Sequence, residues 1–165
     1  SWDPEAHPQS GDTDEYGVGD GEGYNLNVPL PPGTGDEGYL DAYDRIVEPV
    51  LEAYDPDLVV VSAGQDPGTM DPLGRNVVTK AGFEAFGRRA VAWADDYADG
   101  SLAVVQEGGY QISHLGYATL GVLEGLVDAE TGVEDPFAWL NEDEESARRA
   151  VDRLVETFAD EWPTA

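Results

Sequence analysis

The sequence predicts an α/β fold, a mostly parallel sheet flanked by helices, on three observations. Leu58, Val59, Val60 and Val61 form a continuous apolar, largely β-branched run, which reads as a strand apolar on both faces, as in a parallel sheet covered by helices on each side. A second apolar run, Ser101 to Gln106, ends like the first in a polar cluster. Helical spacing of apolar residues separates the two runs and follows the second, so strand and helix alternate.

Ser1 to Gly23 is rich in Gly, Pro and Asp and reads as a long loop of successive turns. Its Gly17-Val18-Gly19-Asp20-Gly21-Glu22-Gly23 has neither the preceding strand nor the following helix that a dinucleotide-binding loop requires. Tyr24 to Leu30 alternates apolar with polar or Pro residues, which predicts a short half-buried strand. Pro31-Pro32-Gly33 breaks it. From Asp36 a helix is predicted by Tyr39, Tyr43, Ile46, Val47, Val50 and Tyr54, with a bend at Pro49, where the ring removes a donor and crowds the preceding turn. Pro56 ends that helix before the valine strand, which stops at Asp66.

Thr79 is a plausible N-cap for a helix bearing Phe83, Phe86, Ala90, Ala94 and Tyr97, and Gly100 is well placed just past its end. After the second strand and Glu107-Gly108-Gly109-Tyr110, Ile112 to Val127 reads as a packed helix. Gly116, Gly121 and Gly125 weaken it by about 1 kcal/mol each unless they permit close packing. Thr131 to Leu140 is a connecting loop, and Asn141 with Glu144 makes a capping box for a last helix with Ala147, Val151, Leu154, Val155 and Phe158 on its buried stripe. Three strands are too few for a complete domain of this kind. Residues 1–165 are therefore expected to be the C-terminal part of a single domain, with a long loop and short strand at 1–35, a β/α core at 36–140 and a C-terminal helix at 141–165.

Composition excludes several functions. Of 165 residues, 35 are acidic and 8 basic, for a formal net charge of −27. Such a surface repels nucleic-acid phosphates and anionic membranes. Because 41% of residues are hydrophobic and patterned, the acid reads as a solvated coat on a folded chain, of the kind halophiles use. No cysteine is present, so metal ligands must be oxygen or imidazole. No apolar run approaches the roughly 20 residues that span a bilayer, and no signal peptide is visible, which leads to the expectation of a cytoplasmic protein.

In open α/β sheets ligands sit beyond the carboxyl ends of the strands, so Asp66 with Asp71 and Glu107 with Tyr110 fall at one rim. An aspartate there can bind a divalent metal or simply serve a turn or cap; a tyrosine there can donate to a developing oxyanion. Asp71 before Pro72 reads as turn chemistry. His114 on the apolar helix reads as a core residue, and with His7 it shows no metal-ligand spacing. Ser62 lacks the glycine two residues earlier that a nucleophile elbow needs.

Ser62-Ala63-Gly64-Gln65-Asp66 with Asp71-Pro72-Leu73-Gly74, then Glu107-Gly108-Gly109-Tyr110, preceded by the stretch from Gly21 to Asp36, resemble the C-terminal half of the zinc-dependent histone deacetylase family. The branch is that of the class II, acetoin-utilisation and acetylpolyamine amidohydrolase proteins, and the acidic excess suggests a haloarchaeal member. The resemblance implies a partial arginase/deacetylase-type fold and an enzyme that, when intact, hydrolyses an acetylated lysine or a small acetylated amine. It implies Zn²⁺ as cofactor with Asp66 as one ligand, Tyr110 as the catalytic oxyanion donor, and Gly108, Leu73 and His7 along the substrate channel. Ser1, Trp2 and Tyr24 are similar to donors of structural K⁺ sites.

Three departures stand out. His7 replaces an aromatic wall, Gln65 replaces a Phe beside the metal, and Leu73 stands where polyamine-preferring relatives can carry an acid, which leans toward acyl-lysine or another substrate without a distal cation. The family's tandem histidines and its other zinc Asp and His normally lie upstream of Ser1, so the chain alone is expected to be inactive. The alternatives are a non-catalytic acidic interaction module that keeps the fold, and an arginase-like two-metal hydrolase, which a single aspartate and Tyr110 suit less well.

Overall fold

The valine run forms β1 (Val59–Ala63), and in the computed structural model, which describes residues 10–140 and 142–164, it pairs in parallel with β2 (Leu102–Gln106). The register runs from Val59 opposite Leu102 to Ala63 opposite Gln106, so both strands end level with each other. The crossover between them is α3 (Lys80–Tyr97), as parallel pairing requires. Thr79 caps it as predicted, accepting from the Gly82 N–H, while its own N–H and hydroxyl donate to Asp36. Gly100, at φ +76°, closes the far end by donating to the Ala94 carbonyl.

Helix α4 (Ile112–Val127) lies against α3 along a seam of glycines. A Cβ at Gly121 or Gly125 would collide with the Lys80 or Glu84 carbonyl, and one at Gly87 would lie 2.6 Å from the Val122 carbonyl oxygen. Two of the three α4 glycines thus permit close packing, whereas a Cβ at Gly116 would meet no described atom outside its own helix within 4 Å. Lys80 and Glu124 form an ion pair across the seam, both side chains nearly buried.

Residues 36–54 form one helical stretch in three parts: α1 (Asp36–Ala42), a π-helical turn (Tyr43–Val47) and α2 (Glu48–Tyr54). Pro49 lies in the first turn of α2, two residues past the end of the π turn. A proline ring displaces the carbonyl four residues back, and a wider turn absorbs it, so the predicted bend takes the form of a π-bulge. The last helix, α5 (Glu144–Phe158), packs on this stretch and buries Val151, Leu154 and Phe158 with Leu30, Ala42 and Ile46.

Three expectations are corrected. Tyr24 to Leu30 is not a strand among the described residues; Leu26, Val28 and Leu30 pack on the α5 cluster, but no ladder partner is present for their backbone. The cap of α5 is Asp143, which accepts from the Ser146 N–H at 3.1 Å, rather than a box built on Asn141, a residue outside those described. Among the described residues the two-stranded sheet is covered by helix on one face: Val59 is buried against Ala94 and Ala98, while Val60 and Val105 are 57% and 52% exposed. No helix among the described residues is long and apolar enough to cross a membrane.

Candidate active site

Because β1 and β2 end level, the loops that follow them meet at one rim. Gln65 N–H donates to the Gly108 carbonyl at 2.9 Å and Glu107 N–H donates to the Ala63 carbonyl, extending the parallel pairing past both strand ends. The side-chain amide of Gln106 donates to the carbonyls of Glu107 and Gly108 and, at 3.1 Å, to the Oε1 of buried Gln65. Gln65, where the family resemblance anticipates Phe, therefore takes part in a polar tie between the two loops. Further along, the Val78 N–H donates to Pro67 O and the Thr69 N–H to Val78 O, which pins the loop after Asp66 to the segment leading into α3.

An open groove lies over this rim, lined by Tyr43, Ser62, Gly64, Asp66, Pro67, Leu73, Gly74, Glu107, Gly108 and Tyr110. The Asp66 carboxylate sits between two glycines. A Cβ at Gly64 would lie 2.8 Å from its Oδ1, and one at Gly108 would be closer still. Gly74 packs on the Asp66 backbone, where a Cβ would strike the Asp66 carbonyl oxygen. Asp66 makes no side-chain hydrogen bond or ion pair among the described residues, whereas Asp41, Asp44, Glu48, Glu84, Asp128, Glu145 and Asp152 each pair with an arginine. Glu107 lines the same groove, and no Lys, Arg or His is among its described lining residues, so the described part of the groove carries negative charge, which favours a cation.

Tyr110 projects into the same groove, 56% exposed, its ring edge near Gly108. Gly109 precedes it at φ +121°, a backbone setting that side-chain-bearing residues rarely adopt. Asp71, which the sequence suggested as a turn residue, is buried and accepts four backbone N–H groups. Its Oδ1 takes Leu73 and Gly74 at 2.8 and 2.9 Å, and its Oδ2 takes Tyr110 and Gln111 at 2.6 and 3.1 Å. Burial alone would raise this carboxyl, but the hydrogen bonds from Gly74, Tyr110, Leu73 and Gln111 outweigh it and hold it below the usual carboxylate value.

The groove thus brings together Asp66, Leu73, Gly108 and Tyr110. Tyr24 is not part of it; it is exposed and meets Tyr54 edge to face at 6.0 Å. Ser1, Trp2 and His7 lie outside the described residues. His114 is a core residue, buried between Phe83 and Phe137 with Nε2 3.3 Å from Asp135 Oδ2. Tyr43 was missed as a groove residue, because its helical spacing reads only as core. Burial pushes its phenol up to about 12, so it stays neutral at ordinary pH.

A zinc site needs three protein ligands. Among the described residues no three His, Cys, Asp or Glu side chains are grouped to hold a metal. Asp66, flanked by glycines and without a side-chain partner among the described residues, fits the part of one such ligand.

A histone deacetylase domain signature matches residues 2–126. The chain is 41% identical over 150 residues to histone deacetylase 8 of Arabidopsis thaliana, covering 90% of this chain and 40% of that protein. It is 41% identical over 138 residues to a probable deacetylase of Archaeoglobus fulgidus, covering 82% and 38% respectively. Among solved structures the HDA15 HD domain superposes with a TM-score of 0.77 at 30% identity, covering 96% of this chain and 41% of the other. The chain spans about two fifths of the length of these relatives.

Proposed function

The chain belongs to the histone deacetylase domain family, and we propose that the intact protein is a zinc-dependent deacetylase that hydrolyses an acetylated amine, acetyl-lysine or similar. The observation that carries this reading is the convergence of the unpaired Asp66 carboxylate and the exposed Tyr110 phenol on one groove at the carboxyl ends of two parallel strands.

In this reading Asp66 supplies one zinc ligand, and the others come from a part of the domain that precedes this chain, consistent with its span of about two fifths of its relatives. Bound zinc would polarise the acyl oxygen and acidify a water. Tyr110 would donate a hydrogen bond to the acyl oxygen as negative charge develops there, a contact worth more in the transition state than in the ground state. Gly108, lacking a side chain, lets both the Asp66 carboxylate and an acyl group approach the strand end. Leu73, exposed on the groove and apolar, suits the methylene stem of an acyl-lysine better than a distal ammonium. The acetyl C–N bond breaks, water adds its oxygen to the acyl carbon, and the amine and acetate leave. The chain by itself, with one ligand, is expected to be inactive.

A haloarchaeal source is part of the proposal, supported by the net charge of −27 and the archaeal relative. The test of the metal role is zinc content of the intact protein: Asp66→Ala is expected to lose stoichiometric zinc while keeping its fold. Retention of one zinc per chain by that variant would sink the assignment.

A further inference from the structure

The chain up to Gly108 is fastened to the end of β1, through the Glu107 N–H to Ala63 bond, the Gln65 N–H to Gly108 bond and the Gln106 amide, which donates to Gln65 Oε1. Gly109 then turns at φ +121°, a residue with wide conformational freedom placed immediately before the tyrosine. Beyond it the backbone N–H groups of Tyr110 and Gln111 both end on Asp71 Oδ2, before α4 begins at Ile112. The other oxygen of the same carboxylate holds Leu73 and Gly74, and Gly74 packs on the Asp66 backbone.

We infer that Asp71 is a positioning residue that fixes Tyr110 relative to Asp66: one buried carboxylate clasps the oxyanion loop and the channel loop together. The inference rests on the catalytic reading of Tyr110. Four N–H donors arranged in two pairs need an acceptor with two oxygens and about four lone-pair sites, which an ionised carboxylate has and an amide does not. In Asp71→Asn either end of the amide that turns to one loop leaves an NH₂ facing two N–H groups at the other. That loop is released, and Gly109 gives it room to swing. A displacement of about 1 Å at a catalytic group can cost on the order of 10²-fold in rate.

The experiment is a double-mutant cycle on the intact, zinc-loaded protein, with turnover of an acetyl-lysine peptide measured for wild type, Asp71→Asn, Tyr110→Phe and the double variant. Zinc content and folded fraction are checked for each. Asp71→Asn is expected to lower kcat by ~10- to 100-fold in the presence of Tyr110, to change KM less, and to slow Tyr110→Phe by no more than about twofold further, since a positioning effect has nothing left to position. Amide exchange at Tyr110 and Gln111 should quicken in Asp71→Asn while the α4 core keeps its protection.

Equal slowing in both backgrounds would overturn the inference alone and leave the role of Tyr110 intact. A fully active Tyr110→Phe would overturn the catalytic reading and the inference with it. Should Asp71→Asn not fold, the same cycle is run with Asp71→Glu, which keeps the charge and lengthens the arm by one methylene, with the same coupling expected.

Discussion

Gly108→Ala probes the geometry of the groove with the smallest possible change. The backbone at Gly108 lies outside the left-handed region, so alanine meets no conformational penalty there, and the whole effect comes from the new methyl group. That methyl would lie 3.2 Å from Asp66 Cγ, closer to its Oδ1, and 3.6 Å from Tyr110 Cε2. Overpacking of this kind costs ~1–3 kcal/mol. The strand end is fixed by backbone hydrogen bonds, so the carboxylate is the part that gives way. If the cost falls on metal binding, 1.4 kcal/mol per decade converts it to a loss of ~10- to 100-fold in zinc affinity. The assay is a chelator competition on the intact protein, with urea unfolding of the zinc-free form as the check on folding and Ser62→Ala, on the same groove, as the control. Unchanged zinc affinity in a folded Gly108→Ala protein would refute the placement of Asp66 as a ligand.

Other parts of the fold give independent tests. Gly125→Ala adds a methyl that meets the Glu84 carbonyl and lies 2.8 Å from Arg88 N and 3.0 Å from Gly87 Cα; overpacking against backbone should exceed the helix-propensity gain of about 1 kcal/mol and destabilise by ~1–2 kcal/mol in urea, whereas a gain in stability would contradict the α3–α4 seam. Phe158→Ala, fully buried among Leu30, Ile46 and Val151, should cost ~3–5 kcal/mol and loosen α5 first; a loss below about 1 kcal/mol would show that α5 is not docked there. Glu124 is held down at about 2, against an ordinary 4.5, by the Lys80 ion pair and by the Thr131 hydroxyl and N–H. Its folded value is depressed, so its stabilisation is fully present above about 4.5 and is lost as pH falls toward about 2. The urea midpoint of wild type should therefore drop more steeply across that window than that of Glu124→Gln, and parallel curves would contradict the pairing.

Local signals carried much of this structure. The valine run, the Thr79 cap and the Ile112–Val127 helix were legible because each rests on periodicity or capping chemistry within a few residues. Tyr24 to Leu30 misled because alternation identifies which side chains are buried, while a strand also needs a backbone partner, which alternation does not report. The continuous valine run likewise marks a strand able to bury both faces, and within the described residues only one is covered.

At the groove, Asp66, Gly108 and Tyr110 were legible as strand-end residues and through their motifs. Asp71 was not, because half of its hydrogen bonds reach residues 39 and 40 positions away, a relation that the local Asp-Pro turn signal conceals. Tyr43 lines the groove from the first position of the π turn, and apolar spacing at helical period marks such a residue only as core.

The central claim is that Tyr110 and Asp66 belong to one deacetylase centre. Its most direct test is acetate release from an acetyl-lysine peptide by the intact, zinc-loaded Tyr110→Phe protein. A loss of on the order of 10²-fold in kcat with zinc retained is the predicted result; turnover within about twofold of wild type, below the effect of any oxyanion donor, would contradict it.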